Sequence, residues 1–289
     1  MAEQGLLDNA DYDLGAVVLE SWDAFLGLVS EADLSASSRL KGWDVREIAL
    51  HLGTWDGESA LTQVLASLRS GDAERLLDSD GFNATVVAAH RDASDDDVRA
   101  AVAQSRDAVA ELLASDEARQ RGGEPVSSVL GPMPLLTVVH AGCYELAVHG
   151  LDVADAVDAT CPPELLRHGV AALTDSIGCL AAREGIDATI GISAEEAPWS
   201  FVAHADGRWV TEPIVGTAHG PRVSGSAEDL LEASAGRADP VRLVTLRQLK
   251  IKHIGGLLAL TPIIDQVPGL PGGRGLKTAA KTLGGLFTH

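Results

Sequence analysis

Two stretches decide the reading of this chain: residues 42–55, GWDVREIALHLGTW, and residues 143–156, CYELAVHGLDVADA. Both have the spacing of helices, and Asp44 followed three residues later by Glu47 is a capping-box pattern that opens the first. Residues four apart share a helix face, so Glu145 and His149 project the same way. His51, on a facing helix, completes a set of two imidazoles and one carboxylate. Three such ligands leave one position of a tetrahedral ion open, as catalytic rather than structural zinc sites do. Asp152, three residues past His149, continues the same face and can orient its imidazole from behind. The competing reading is an exposed charge pair, or a core histidine satisfied by its neighbour, because Glu-x-x-x-His is short enough to arise by chance. The apolar residues around it (Val138, Val139, Ala141, Leu146, Val148, Val153, Ala154) weigh against that, since an unpaired ionised Glu is costly in such surroundings.

On either side of these stretches the periodicity predicts further helices. One runs from Asp13 to about Glu31. The His51 helix is expected to continue from Asp44 to about Ser70, with His51, Trp55 and Glu58 on one face. GFNATVVAAH (81–90) follows, then a helix N-capped by Ser94 with Val98, Val102, Ser105, Val109 and Leu112 in one stripe. Gly122 to Pro134 breaks the chain, and Leu135 to about Asp158 carries Glu145 and His149. Four main helices imply a four-helix bundle with ligands on facing helices.

ATCPPE (159–164) reads as a linker. Beyond it come a helix over Leu165–Arg183 and four strand-like runs, ATIGIS, WSFVAHA, RWVTEPIVG and PRVSGS. A short helix capped by Ser226 is next, then RLVTLRQLKIKHIGGLLALTPII, which passes from strand-like to apolar helix. The fold class is therefore α+β: a helical bundle over residues 8–158 and a smaller α+β domain over 165–268. In the tail, 269–289, Leu276, Ala280, Leu283 and Phe287 recur at helical spacing beside Lys277 and Lys281. Docking on the protein's own surface or disorder is the first expectation there, and a membrane-surface helix the second.

A chain of 289 residues has room for two cored domains. Its net charge of −20 argues against nucleic-acid or anionic-membrane partners. Cys143, Cys161 and Cys179 are too scattered for a disulfide framework or a cysteine zinc site. No signal peptide or membrane span is visible. A soluble, cytoplasmic protein, monomer or homodimer, is expected.

GWDVREIALHL resembles the opening metal-ligand helix of the mycothiol-dependent maleylpyruvate isomerases, within the wider DinB-like group of four-helix bundles. ELAVHGLDVADA resembles that family's Glu-x-x-x-His-x-x-Asp signature, and VSGSAEDLLEASAGRADPVRLVTLRQLKIKHI resembles the sterol-carrier-like domain appended to many members. The resemblance implies zinc held by His51, Glu145 and His149, and mycothiol as thiol cosubstrate. Two features depart from the pattern. Gly142 stands where the family often has an Arg, three residues before the ligand Glu. The arginine that holds substrate carboxylates has Arg91 as its candidate counterpart.

The chemistry expected is thiolate activation: a metal deprotonates a thiol in its open position. The sulfur then attacks a small electrophile, in an S-transferase or a cis–trans isomerase. Asp152 would support the ligands, Arg91 and Asn83 would contact the substrate or cofactor, and Trp55 would wall the pocket. Two other readings use the same scaffold. One is a hydrolase with metal-activated water and Glu58 or Asp152 as base. The other is a non-enzymatic binder of apolar ligands in the second domain, lined by IGGLLALTPII. His90, His140, His168, His204, His219 and His253 carry no partner spacing and read as structural or surface residues.

Overall fold

The computed structural model describes residues 4–76, 79–215 and 220–264; the tail at 269–289 lies outside them. The fold is α+β, with a helical unit over Asp13–His168 and a sheet-containing unit formed by the described residues of 4–12 and 169–264.

In the helical unit, α1 (Leu14–Glu31) is capped by Asp13, whose side chain accepts from the Ala16 N–H. It buries Val18, Trp22, Phe25 and Val29 and packs on α5 (Asp95–Ala114) and α7 (Leu135–Ala156). The reciprocal capping box of Asp44 and Glu47 starts α2 (Val45–Leu52), which lies against α5 and α7 and presses Ile48, Ala49 and Leu50 into the core. The stripe expected on α5 is buried as a stripe, and Ser94 caps it.

The single helix expected from Asp44 to Ser70 is instead two. α2 ends at Gly53, whose N–H donates to the Leu50 carbonyl. A Cβ at residue 53 would come within 2.8 Å of Trp55 Nε1 and 2.9 Å of Ala101 Cβ, so only glycine fits this approach. Asp56 (φ 51°) and Gly57 (φ 79°) then turn the chain, pairing Trp55 with Glu58. Ser59 caps the next helix, α3 (Ala60–Ser70). Local turn and cap chemistry here overrides a continuous apolar pattern, and Trp55 and Glu58 leave the His51 face. The four-helix expectation changes accordingly: α2 and α3 share the place of one long helix, α4 (Ser79–His90) lies against α2, and α6 (Asp116–Arg121) follows α5. The break at 122–134 holds a small antiparallel pair, β1 (Pro125–Val126) with β2 (Met133–Pro134).

The division between the units falls inside α8 (Pro163–Arg183). In the sheet unit, β3 (Ala188–Ala194), β4 (Pro198–Ala203), β5 (Trp209–Pro213), β6 (Arg222–Gly225) and β7 (Lys250–Lys252) form one sheet in the order β5-β4-β3-β6-β7. All neighbours are antiparallel except β3 and β6. The parallel step sets Ile192 beside Val223. Ile190, Ile192 and Ala194 alternate on the buried face with Phe201 and Ala203. The helix α9 (Ala227–Ser234), in the connection from β6 to β7 and capped by Ser226, buries Leu230 and Leu231.

RLVTL, which reads as strand, is largely helical in α10 (Pro240–Thr245), because Asp239 accepts from the Val241 and Arg242 N–H groups and Pro240 sits in the first turn. Residues 4–12 belong to this unit. A short 3-10 turn, Gly5–Asp8, buries Leu6; Gln4 pairs with Trp209, and Tyr12 packs edge-on against Trp199. The fully buried Asp175 ties them in, its Oδ1 accepting from Leu6 N–H (3.1 Å), Trp209 Nε1 (3.0 Å) and Thr211 Oγ1 (2.7 Å).

Candidate metal centre

α7 presents Glu145 and His149 one turn apart, and α2 brings His51 to them. One ligand atom from each of the three lies within 4.8 Å of the others, the set that among the described residues could hold a metal ion. His149 Nε2 stands 3.8 Å from Glu145 Oε2, and the His51 and His149 rings are 5.3 Å apart at 73°. His149 is buried, whereas the Glu145 side chain is 54% exposed, so the set opens to solvent on the glutamate side.

The other ring nitrogen of His149, Nδ1, lies 3.2 Å from Oδ2 of Asp152. Asp152 is fully buried, and its Oδ1 accepts from Arg39 Nε at 2.8 Å. A carboxylate behind a histidine makes that ring donate from Nδ1 and keeps the Nε2 lone pair for the front.

Part of the His51 residue surface reaches solvent, yet the ring sits deep among the helices and Nδ1 is sealed without a hydrogen bond. Burial pushes its pKa down to about 3; nearby His149 adds to the shift and the Asn83 side chain opposes it. The ring is thus neutral in ordinary buffers, as a metal ligand must be. Two imidazoles, a carboxylate, a backing carboxylate and a buried unsatisfied nitrogen fit a divalent cation such as zinc.

Residues 16–154 match the family model for the mycothiol maleylpyruvate isomerase N-terminal domain. The match takes in most of the helical unit, which resembles that family's N-terminal domain. Its matched span holds His51, Glu145, His149 and Asp152. Two solved structures are similar: the crystal structure of the mycothiol-dependent maleylpyruvate isomerase (18% identity, TM-score 0.49, covering 79% of this chain and 90% of that one), and that of a point mutant of the mycothiol-dependent maleylpyruvate isomerase (18%, 0.49, covering 84% and 92%). No curated protein matches the chain.

The remaining residues singled out by sequence fall in different places. Arg91 is exposed and pairs at 3.8 Å with Glu47. Trp55 donates from Nε1 to the Leu50 carbonyl (3.0 Å) and stacks on His90 (4.3 Å, 16°). It lines an open cleft of about 550 Å³ with Asp56, Asp97 and Gln104, and none of His51, Glu145 and His149 lines that cleft. Glu58 lies exposed in the turn after α2, accepting from Thr62 Oγ1. His140 is fully buried, and His168 lies 2.6 Å from Glu20.

The aromatic beside the ligands is Trp43, which the sequence reading passed over. Its ring is stacked at 14° and 6.3 Å on His149 and meets His51 at 5.4 Å. A signal existed, because Trp43 immediately precedes a capping box, where the chain folds back on the helix it starts. Arg39 had no comparable signal.

No helix among the described residues is long and apolar enough to cross a membrane.

Proposed function

We propose that this chain is a zinc-dependent enzyme that activates a low-molecular-weight thiol, mycothiol by its family, for attack on a small electrophile. The reaction is an S-transfer or a maleylpyruvate-type cis–trans isomerisation. The observation that carries this reading is the convergence of His51, Glu145 and His149 with Asp152 behind His149. Bound zinc would supply a thiol whose pKa is low enough to be a nucleophile at neutral pH. His51 offers a lone pair without first losing a proton, because burial keeps it neutral. Asp152 holds the Nδ1 proton of His149, and Trp43 walls the ring faces. Glu145, on the exposed side, marks where a thiol enters.

Hydrolysis by metal-activated water would need a free base beside the ligands. Asp152 has both oxygens engaged, by Arg39 and His149, and Glu58 lies in the turn beyond α2. Both observations favour a thiol over water. The sheet unit is proposed as the sterol-carrier-like domain of such enzymes, with the thiol chemistry residing in the helical unit.

The test is zinc content of protein purified without an immobilised-metal step, with turnover of maleylpyruvate and of a generic electrophile in the presence of mycothiol. Near-stoichiometric zinc, lost in His149→Ala, and thiol-dependent turnover are expected. Turnover without thiol, or a folded wild-type protein that takes up no zinc, overturns the reading.

A further inference from the structure

The connection between α1 and α2 is a built structure. Leu34 is buried, and the backbone pairs Ala36 O with Val45 N–H (3.1 Å) and Leu34 O with Arg46 N–H (2.9 Å). Within it Ser38 Oγ donates to the Trp43 carbonyl (2.7 Å) and accepts from Leu40 N–H (3.0 Å). This folded loop delivers two side chains four residues apart to the candidate metal centre. Trp43 reaches the faces of His51 and His149, and Arg39 reaches Asp152 behind His149.

The geometry points to Arg39 as a positioning residue: by gripping Oδ1 of Asp152 it aims Oδ2 at His149 Nδ1, fixes the ring with Nε2 toward Glu145, and so sets the affinity of the triad for zinc. This rests on the reading of the triad as a metal site. Asp152 has no exposed surface, so the direction of its carboxylate is decided by protein donors and not by water. A guanidinium is suited to this because its N–H groups are fixed in a plane, whereas a lysine ammonium is a point charge that specifies no direction. The Arg39 side chain is itself 29% exposed, so it can be replaced without opening a core cavity.

The experiment measures zinc(II) affinity by chelator competition for wild type, Arg39→Met and Arg39→Lys, with ring 15N NMR of the metal-free proteins to report the His149 tautomer. Partners that orient ligand histidines typically contribute 10–100-fold in metal affinity. We expect Arg39→Met to weaken zinc binding about 10-fold or more and to mix the His149 tautomers, and Arg39→Lys to recover part of both. If Arg39→Met does not fold, Arg39→Lys alone decides, since loss of the fixed plane must still mix the tautomers.

Affinity within twofold of wild type and an unchanged tautomer, even with a lower melting temperature, would make Arg39 a structural residue and overturn the inference while leaving the metal site standing. If wild type binds no more zinc than His149→Ala, the metal reading fails and the inference goes with it.

Discussion

Lowering the pH tests the burial of His51 directly. An unfolded histidine titrates near 6.5, whereas in the fold burial holds this ring down to about 3. Between those values the unfolded chain binds a proton that the native protein refuses, so stability must fall as the pH drops below 6.5, and the loss saturates near 3. At pH 5 the difference is about 2 kcal/mol, and at pH 7.5 it is close to zero, from the two-state linkage with 1.36 kcal/mol per unit. Because part of the residue surface is exposed, this figure is an upper bound. The assay is urea unfolding of metal-free wild type and His51→Gln at both pH values, followed by the helical circular dichroism. Burial also lowers the His168 pKa, so each protein loses some stability on acidification; the part due to His51 is the extra loss of wild type. Wild type should lose up to about 2 kcal/mol more than the variant between pH 7.5 and 5. Parallel losses would mean that the ring takes up its proton in the native state, and the argument from burial would be wrong.

Three further outcomes are expected. Gly5→Ala should lower the melting temperature of the sheet unit and cost about 2–4 kcal/mol, because φ is +62° and the new Cβ would overlap Asp175 Oδ1 and Trp209 Nε1; an unchanged transition would show that residues 4–12 are not docked. Asp44→Ala should remove about 1 kcal/mol by breaking the capping box of α2, and equal denaturant midpoints for variant and wild type would contradict it. Burial pushes the Cys143 and Cys179 thiols up to about 12, so iodoacetamide at pH 8 should label neither in the folded protein and both in guanidinium; rapid labelling of the native state would refute their burial.

The parts of this molecule legible from sequence are those set by local rules. Helical period and spacing gave α1, α5 and α7, and with them the shared face of Glu145 and His149. Cap chemistry gave the starts of α2 and α9 at Asp44 and Ser226. The misread parts were those where two local signals conflict. At 53–59 an apolar pattern argued for a continuous helix while Gly53, Asp56 and Gly57 argued for a turn, and the turn prevailed. That is also why Trp55 was assigned to a site that Trp43 occupies. At 239–245 a strand-like apolar run lost to an Asp-Pro helix start. Arg39 was illegible for another reason: its pairing with Asp152 spans 113 residues, and no periodicity reports a contact between a loop and a distant helix.

The sheet unit draws on both sides of the helical unit in sequence, and this imposes an order on synthesis. Leu6 leaves the ribosome ahead of the carboxylate that receives its N–H, Asp175, which follows 169 residues later. At elongation rates of about 5–20 residues per second, that interval is roughly 10–30 s. Throughout it residues 4–12 have no docking site, while Asp13–His168 emerges whole and can fold first. The helical unit is thus a domain completed inside an unfinished one, and the turn at Gly5–Asp8 is among the last pieces to find its place. A nascent-chain pulse with protease should therefore find the segment before Leu14 cleavable until residues beyond Thr211 are made, and protected soon after.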